Sequence, residues 1–193
     1  MRNKMECVRI GKLWYPVITL GYGKRIGIWL QGCTRRCPHC ISPELQAEAG
    51  GEWLTVEDLE QRFSKVKEVD GLTISGGEPF DQPSGLRGII EWFSSVYTDD
   101  ILVFSGYTLQ ELHEKEDADI DYVLKSISVL VDGAYFIELN DGMGLRGSSN
   151  QVIHVWNNHK RYLNAETNER KMQGVLLNDQ RLWMIGIPPG VPK

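Results

Sequence analysis

The sequence predicts an α/β fold, an incomplete TIM-like β/α barrel with a C-terminal β-hairpin, and three observations lead there. Short apolar runs of strand length recur, each ending in polar or glycine-rich residues and followed by a helical pattern, which is the grammar of parallel β/α units. The chain has 193 residues, whereas a closed eightfold barrel takes about 250, so only part of a barrel is available. Two apolar segments near the end are separated by a turn, as in a hairpin. The chain reads as one domain over 1–193, with a core of about 15–155 and an extension over 156–193. In such folds the reactive residues collect at the strand C-termini, and an open barrel leaves a lateral gap that suits a bulky substrate.

Taken in order, Cys7-Val8-Arg9-Ile10 and Tyr15-Pro16-Val17-Ile18-Thr19-Leu20 are apolar segments divided by Gly11, an extended lead-in. Cys7 is expected to be a buried or half-buried packing residue. After a turn at Gly21-Tyr22-Gly23-Lys24 comes the first barrel strand, Ile26-Gly27-Ile28-Trp29-Leu30. Thr55 caps a helix with an acidic first turn, and Val56, Leu59, Phe63, Val66 and Val69 share its apolar face. Leu72-Thr73-Ile74 is the second strand, followed by a helix from about Pro83 that buries Leu86, Ile89, Ile90, Phe93 and Val96. Ile101-Leu102-Val103-Phe104 is the third, ending in Ser105-Gly106-Tyr107. Thr108 and Glu111 form the capping box of the next helix, on which His113 is exposed and not a ligand. Val129-Leu130-Val131 is the fourth strand and ends in Asp132-Gly133. Val152 to Trp156 is a further strand, with His154 a satisfied core histidine. The hairpin runs from Met172 to Leu177 and from Arg181 to Ile187, with a turn at Asn178-Asp179 and a stop at Pro188-Pro189-Gly190. The tryptophans read mostly as packing residues, with Trp53 and Trp183 open to a role as interface anchors.

A net charge of -5 gives no chain-wide basic field, so no nucleic-acid partner is expected. No run approaches the roughly 18 apolar residues of a membrane span, and Met1 to Glu6 lack a signal-peptide core. A cytoplasmic protein without a membrane partner is expected, in a compartment that keeps clustered thiols reduced.

The chemistry is concentrated in Gly32-Cys33-Thr34-Arg35-Arg36-Cys37-Pro38-His39-Cys40, which holds three of the four cysteines. Thiolates so close favour an iron-sulfur cluster or zinc. A closed zinc site needs a fourth ligand, for which Cys7 and His39 are the nearest candidates, whereas three cysteines alone leave one iron of a cubane open for chemistry. A second motif, Gly76-Gly77-Glu78-Pro79, ends the second strand. Alone it is mostly an ordinary turn; after the cysteine triplet it is a strong signal.

Together these residues resemble the radical S-adenosylmethionine (SAM) superfamily, whose cluster motif is Cys-x-x-x-Cys-x-x-Cys. Leu130-Val131-Asp132-Gly133, Arg146-Gly147-Ser148-Ser149-Asn150-Gln151 and Phe104-Ser105-Gly106-Tyr107 narrow the resemblance to anaerobic ribonucleoside-triphosphate reductase activating enzymes, over roughly Tyr15 to Val155. Two features depart from that branch: Ile41-Ser42 stands where an aromatic residue and asparagine are usual, and the tail after Trp156 is longer. The resemblance implies a barrel of the radical SAM type and a 4Fe-4S cluster on Cys33, Cys37 and Cys40. It implies SAM on the open iron, cleaved after electron transfer to give a 5'-deoxyadenosyl radical.

Gly76 and Gly77 would leave backbone carbonyls open to the SAM amine, and Glu78 would accept from it. His39 and Ile41 would approach SAM beside Cys40, and Arg146 would pair with its carboxylate. Ser105 and Asp132 stand at strand ends and suit a ribose or a cation, or else hydrogen-bond their own turns; Asn150 is a further candidate for binding the cofactor. No catalytic side chain is implied beyond cluster and SAM. The implied partners are a glycyl radical enzyme and a low-potential electron donor of flavodoxin or ferredoxin type. A stand-alone radical SAM enzyme acting on a small molecule, nucleotide or peptide is the alternative, and a non-catalytic metal-binding module leaves Gly-Gly-Glu-Pro unexplained.

Overall fold

The computed structural model describes residues 7–156, 159–177 and 179–189; Met1 to Glu6, Asn178 of the expected turn and Gly190 of the expected stop lie outside the described residues. The strands are β1 (Val8–Val17), β2 (Arg25–Leu30), β3 (Glu52–Leu54), β4 (Gly71–Gly76), β5 (Ile101–Phe104), β6 (Val129–Asp132), β7 (Val152–Val155), β8 (Met172–Leu176) and β9 (Leu182–Gly186). The helices are α1 (Val56–Phe63), α2 (Pro83–Val96), α3 (Leu109–Glu114) and α4 (Ala118–Ser126). Among the described residues one seven-stranded sheet has the order β3-β1-β2-β4-β5-β6-β7, and β8-β9 form a separate antiparallel hairpin. The four central strands β2, β4, β5 and β6 are mutually parallel and β1, β3 and β7 pair antiparallel, so this is an incomplete β/α barrel.

Side-chain alternation along a strand assigns each face of the sheet its cover. Ile26, Ile28 and Leu30 join the larger core with Leu59 of α1, Leu86 and Phe93 of α2, and Ile120 and Val123 of α4. Between them Trp29 belongs to a second core with Val175, Ile185 and Ile187 of the hairpin region. Leu102, Val129 and Val131 likewise meet Tyr162 and Ala165. Helices therefore cover one face, and the chain beyond β7 covers the other. The hairpin is fixed by Trp183, edge-on to Trp14 and Trp29 at centroid distances of 6.1 and 5.0 Å. Gln173 adds to this by donating to the Pro16 carbonyl at 2.8 Å.

Several expectations are corrected. The lead-in is one ten-residue strand, β1, because Gly11 serves close packing and not a turn: an added Cβ would overlap Leu45 Cδ2. Cys7 is exposed, since alternation sends it away from the core side occupied by Val8. Helix α1 stops at Phe63, and Val66 and Val69 reach the core from the following loop. Val96 is exposed because Tyr97 takes its place, its ring 5.2 Å from that of Phe93. Trp183 is an internal packing residue and not an interface anchor, whereas Trp53 is exposed.

Where the parallel strands begin, Arg25 is completely buried. Its guanidinium donates to Asp100 Oδ1 at 3.0 Å, Tyr162 OH at 2.9 Å and Thr73 Oγ1 at 2.7 Å. Arg161 also pairs with Asp100. No helix among the described residues is long and apolar enough to cross a membrane.

Candidate functional site

At the opposite ends of the same strands the chain leaves the sheet through short turns. After β2 the cysteine loop begins, and groups other than the thiols hold it. Gly32 N donates to Leu45 O at 2.9 Å and Cys33 N to Gln46 O at 3.1 Å. Thr34 gives both its backbone N–H, at 2.7 Å, and its hydroxyl, at 3.0 Å, to Asp81, which also accepts from Tyr107 OH at 3.0 Å. Arg36 and His39 take left-handed backbone angles, φ 43° and 57°, which coil the loop tightly around its thiols.

At the last residue of β4, Gly76 has φ 114°, and Gly77 lies directly against the cysteine loop. Gly77 N donates to Leu30 O at 2.8 Å and Glu78 N to Gly32 O at 2.9 Å, so the two turns are stitched backbone to backbone. An added Cβ at Gly77 would overlap the Gly32 carbonyl oxygen. Its glycine thus has a second reason beyond an open carbonyl: any side chain there displaces the segment carrying the cysteines.

These turns border a cleft of about 900 Å³, counting its open side, lined by Cys33, Cys37, Cys40, Ile41, Gly76, Gly77, Glu78 and Ser105 among others. Glu78 is 1% exposed, and its carboxylate accepts from Phe80 N at 3.0 Å, Ser105 Oγ at 2.9 Å and Gly106 N at 2.7 Å. All three donors are neutral. Burial therefore dominates and pushes the Glu78 carboxyl up to about 7, so a cation arriving in the cleft would restore its charge. Burial also raises the Cys33 and Cys40 thiols, which must lose their protons to ligate a metal.

The remaining expected residues lie elsewhere. His39 is exposed and outside the cleft lining. Asp132 is buried and turned away: its carboxylate accepts from Leu109 N at 2.6 Å at the start of α3 and faces His154 Nε2 at 2.9 Å, which satisfies that histidine. Arg146 pairs with Asp141 at 3.1 Å, and its buried Nε has no hydrogen-bond partner among the described residues. Asn150 donates to Ala134 O at 2.8 Å. These three brace the turns around the cleft without lining it.

Other residues take up the lining. Gln151 is buried, accepts from Gly147 N at 2.7 Å and donates to Gly133 O at 2.7 Å, tying the loop after β6 to the strand end. Trp29, Phe104, Leu20 and Ile187 give the cleft an apolar side. The strand parity of Trp29 and Phe104 was the available signal for two of these; nothing local in the sequence marked Ile187.

The donor set suits an iron-sulfur group: three half-buried thiols share one cleft, whose charged lining side chains are Arg35 and Glu78. Among the described residues no three His, Cys, Asp or Glu converge as a single-ion site, and ligands of separate irons in one cluster need not do so. The sequence profile of the 4Fe-4S single cluster domain matches residues 19–154. Relatives named anaerobic ribonucleoside-triphosphate reductase-activating protein, from Vibrio cholerae and Escherichia coli, are 33% and 31% identical. Each alignment covers 73% of this chain, and 94% and 95% of the relative respectively. A pyruvate formate-lyase-activating enzyme from Clostridium pasteurianum is 27% identical over 88% of this chain and 76% of its own. The chain belongs to the family of radical SAM activating enzymes, which are iron-sulfur oxidoreductases.

Proposed function

We propose that the chain cleaves SAM reductively at a 4Fe-4S cluster held by Cys33, Cys37 and Cys40, and that the radical so formed abstracts hydrogen from a glycine of a partner enzyme. The observation carrying this reading is the meeting, in one cleft, of three thiols with Gly76, Gly77 and a buried Glu78 whose hydrogen-bond donors are neutral. The cluster would supply the low-potential electron for carbon-sulfur cleavage. Around it, Gly76 and Gly77 offer backbone carbonyls to the amine, and Glu78, oriented by Ser105, takes up its charge. Cys40 and Ile41 would flank the ligand. Asp132, Arg146 and Asn150 act through the turns they brace. Leu20, Trp29 and Phe104 exclude water from a reactive primary radical.

A protein substrate is favoured by the rim: Ile41 is 39% exposed and Phe136, next to the lining residue Tyr135, is 47% exposed. The relatives are named as activators of other enzymes, which supports a protein partner; we take that partner to be a glycyl radical enzyme, in the cytoplasm, with a low-potential donor of flavodoxin or ferredoxin type. A second reading, a stand-alone enzyme with a small substrate, is favoured by the extension that covers the inner face of the sheet. The test is anaerobic turnover with a chemical reductant, SAM and a candidate glycyl radical enzyme. The proposal expects 5'-deoxyadenosine formed in step with an electron paramagnetic resonance doublet on the partner. Acceleration by a low-molecular-weight compound alone, recovered in modified form, would establish the second reading instead.

A further inference from the structure

The matched family profile ends at residue 154, yet Gly186 and Ile187 line the cleft. The residue bonded to that end of the hairpin is Arg170. Its side chain is 5% exposed, and its donors spread over two segments far apart in sequence. Nε donates to Gly144 O at 3.3 Å, Nη2 to the Arg146 carbonyl and to Gly147 O at 3.2 Å, and Nη1 to Asn140 Oδ1 at 2.6 Å and Pro188 O at 2.7 Å. Gly147 and Ile187, one on each segment, both face the cleft. Asn140 extends the link, its amide donating to the hydroxyl of the lining residue Tyr135 at 3.3 Å. Only a planar five-donor fork satisfies that many acceptors at once; a lysine ammonium has three donors and no fixed plane.

We propose that Arg170 is a positioning residue for the SAM cleft: it clamps residues 140–147 to the end of the C-terminal hairpin, so that the extension forms one wall of the site. This rests on the reading that the cleft takes SAM. Two further observations fit a wall and not a loose appendage. Gly144 N and Leu145 N donate to Asn168 O and Ala165 O, both at 2.8 Å, and Thr19 Oγ1 donates to Ile185 O at 3.1 Å beside the lining residue Leu20.

The test compares full-length Arg170→Met, Arg170→Lys and Asn140→Leu with the parent, each with its iron content and melting temperature measured. Losing charged hydrogen bonds is expected to raise the SAM dissociation constant by about tenfold or more in Arg170→Met, with incomplete rescue by lysine. Asn140 is partly exposed, so Asn140→Leu keeps the fold and is expected to weaken SAM binding about threefold at unchanged iron content. In the protein without cluster or SAM, amide exchange over residues 142–147 is expected to accelerate together with that of residues 185–187. Unchanged SAM affinity in both Arg170→Met and Asn140→Leu, at any melting temperature, would overturn the proposal. So would exchange that rises in only one of the two segments. If the parent itself bound no SAM, the functional reading would fall, and the exchange result alone would still decide whether Arg170 couples the two segments.

Discussion

The two ends of the parallel strands bury acidic groups in opposite ways. Where the strands begin, Asp100 is met by the buried guanidinium of Arg25, by Arg161 and by the Tyr162 hydroxyl. Where they end, Glu78 is as deeply buried but receives only neutral donors, and a cleft opens beside it. One carboxylate is complete within the fold; the other is left short of a positive partner. Burying an unpaired charge costs stability, so a fold keeps one where a ligand will supply the missing charge. The difference separates a floor that holds the strands from a mouth that is proposed to bind.

The sharpest break in the comparison lies at the mouth. Cys33→Ala, Cys37→Ala and Cys40→Ala are each expected to abolish iron binding after anaerobic reconstitution, while Cys7→Ala, exposed and ahead of β1, keeps it. Iron and sulfide analysis with the visible spectrum decides this, and iron retained by any of the first three would remove that residue from the ligand set. At the floor the expected loss is of stability, not of iron. Asp100→Asn leaves Arg25 buried opposite a neutral amide and is expected to cost about 3–5 kcal/mol in urea unfolding at unchanged iron content. A cost near zero would mean that Arg161 and Tyr162 do not need the carboxylate.

The smallest effect sharpens the contrast by pH. Because the folded Glu78 carboxyl is raised from 4.5 to about 7, the fold favours its protonated form. Its contribution is fully present below pH 4.5 and is lost as pH rises through 7, by up to about 3 kcal/mol. Glu78→Gln is expected to flatten that slope in the protein without cluster, and SAM binding to the parent near pH 6.5 is expected to release protons. Identical pH-stability curves for parent and variant would show that Glu78 is not a strained acid.

Much of this arrangement was legible in the sequence because it rests on local rules. Thr55 and Thr108 make the capping boxes that their spacing announces, with Asp58 and Glu111 as the reciprocal partners. The four apolar runs became the four parallel strands, and the cysteine and Gly-Gly-Glu-Pro motifs came together because consecutive parallel strands end on one side. What could not be read depends on distant partners. Arg25 stood at the edge of a strand pattern like any surface arginine, and Gly11 looked like a break until Leu45 was seen beside it. Strand β3 has three residues, two of them exposed, and helix α4 begins in an acidic run that local apolar pattern did not single out. Asp132 and Arg146 sat in the right motifs, but motifs record sequence proximity to a site, whereas orientation is set by neighbours such as His154 and Asp141.

The cysteine loop is anchored by Thr34, Asp81 and Tyr107, by the Gln31 amide donating to Ala47 O at 2.8 Å, and by the Gln46 amide donating to Cys37 O at 3.2 Å. None of these anchors is a thiol, so they hold the loop independently of the cysteine side chains. Small zinc domains are the opposite case, in which metal and fold come and go together. A loop anchored this way is expected to keep its backbone partners when a single thiol is replaced, so loss of iron in a cysteine variant reports ligation and not unfolding.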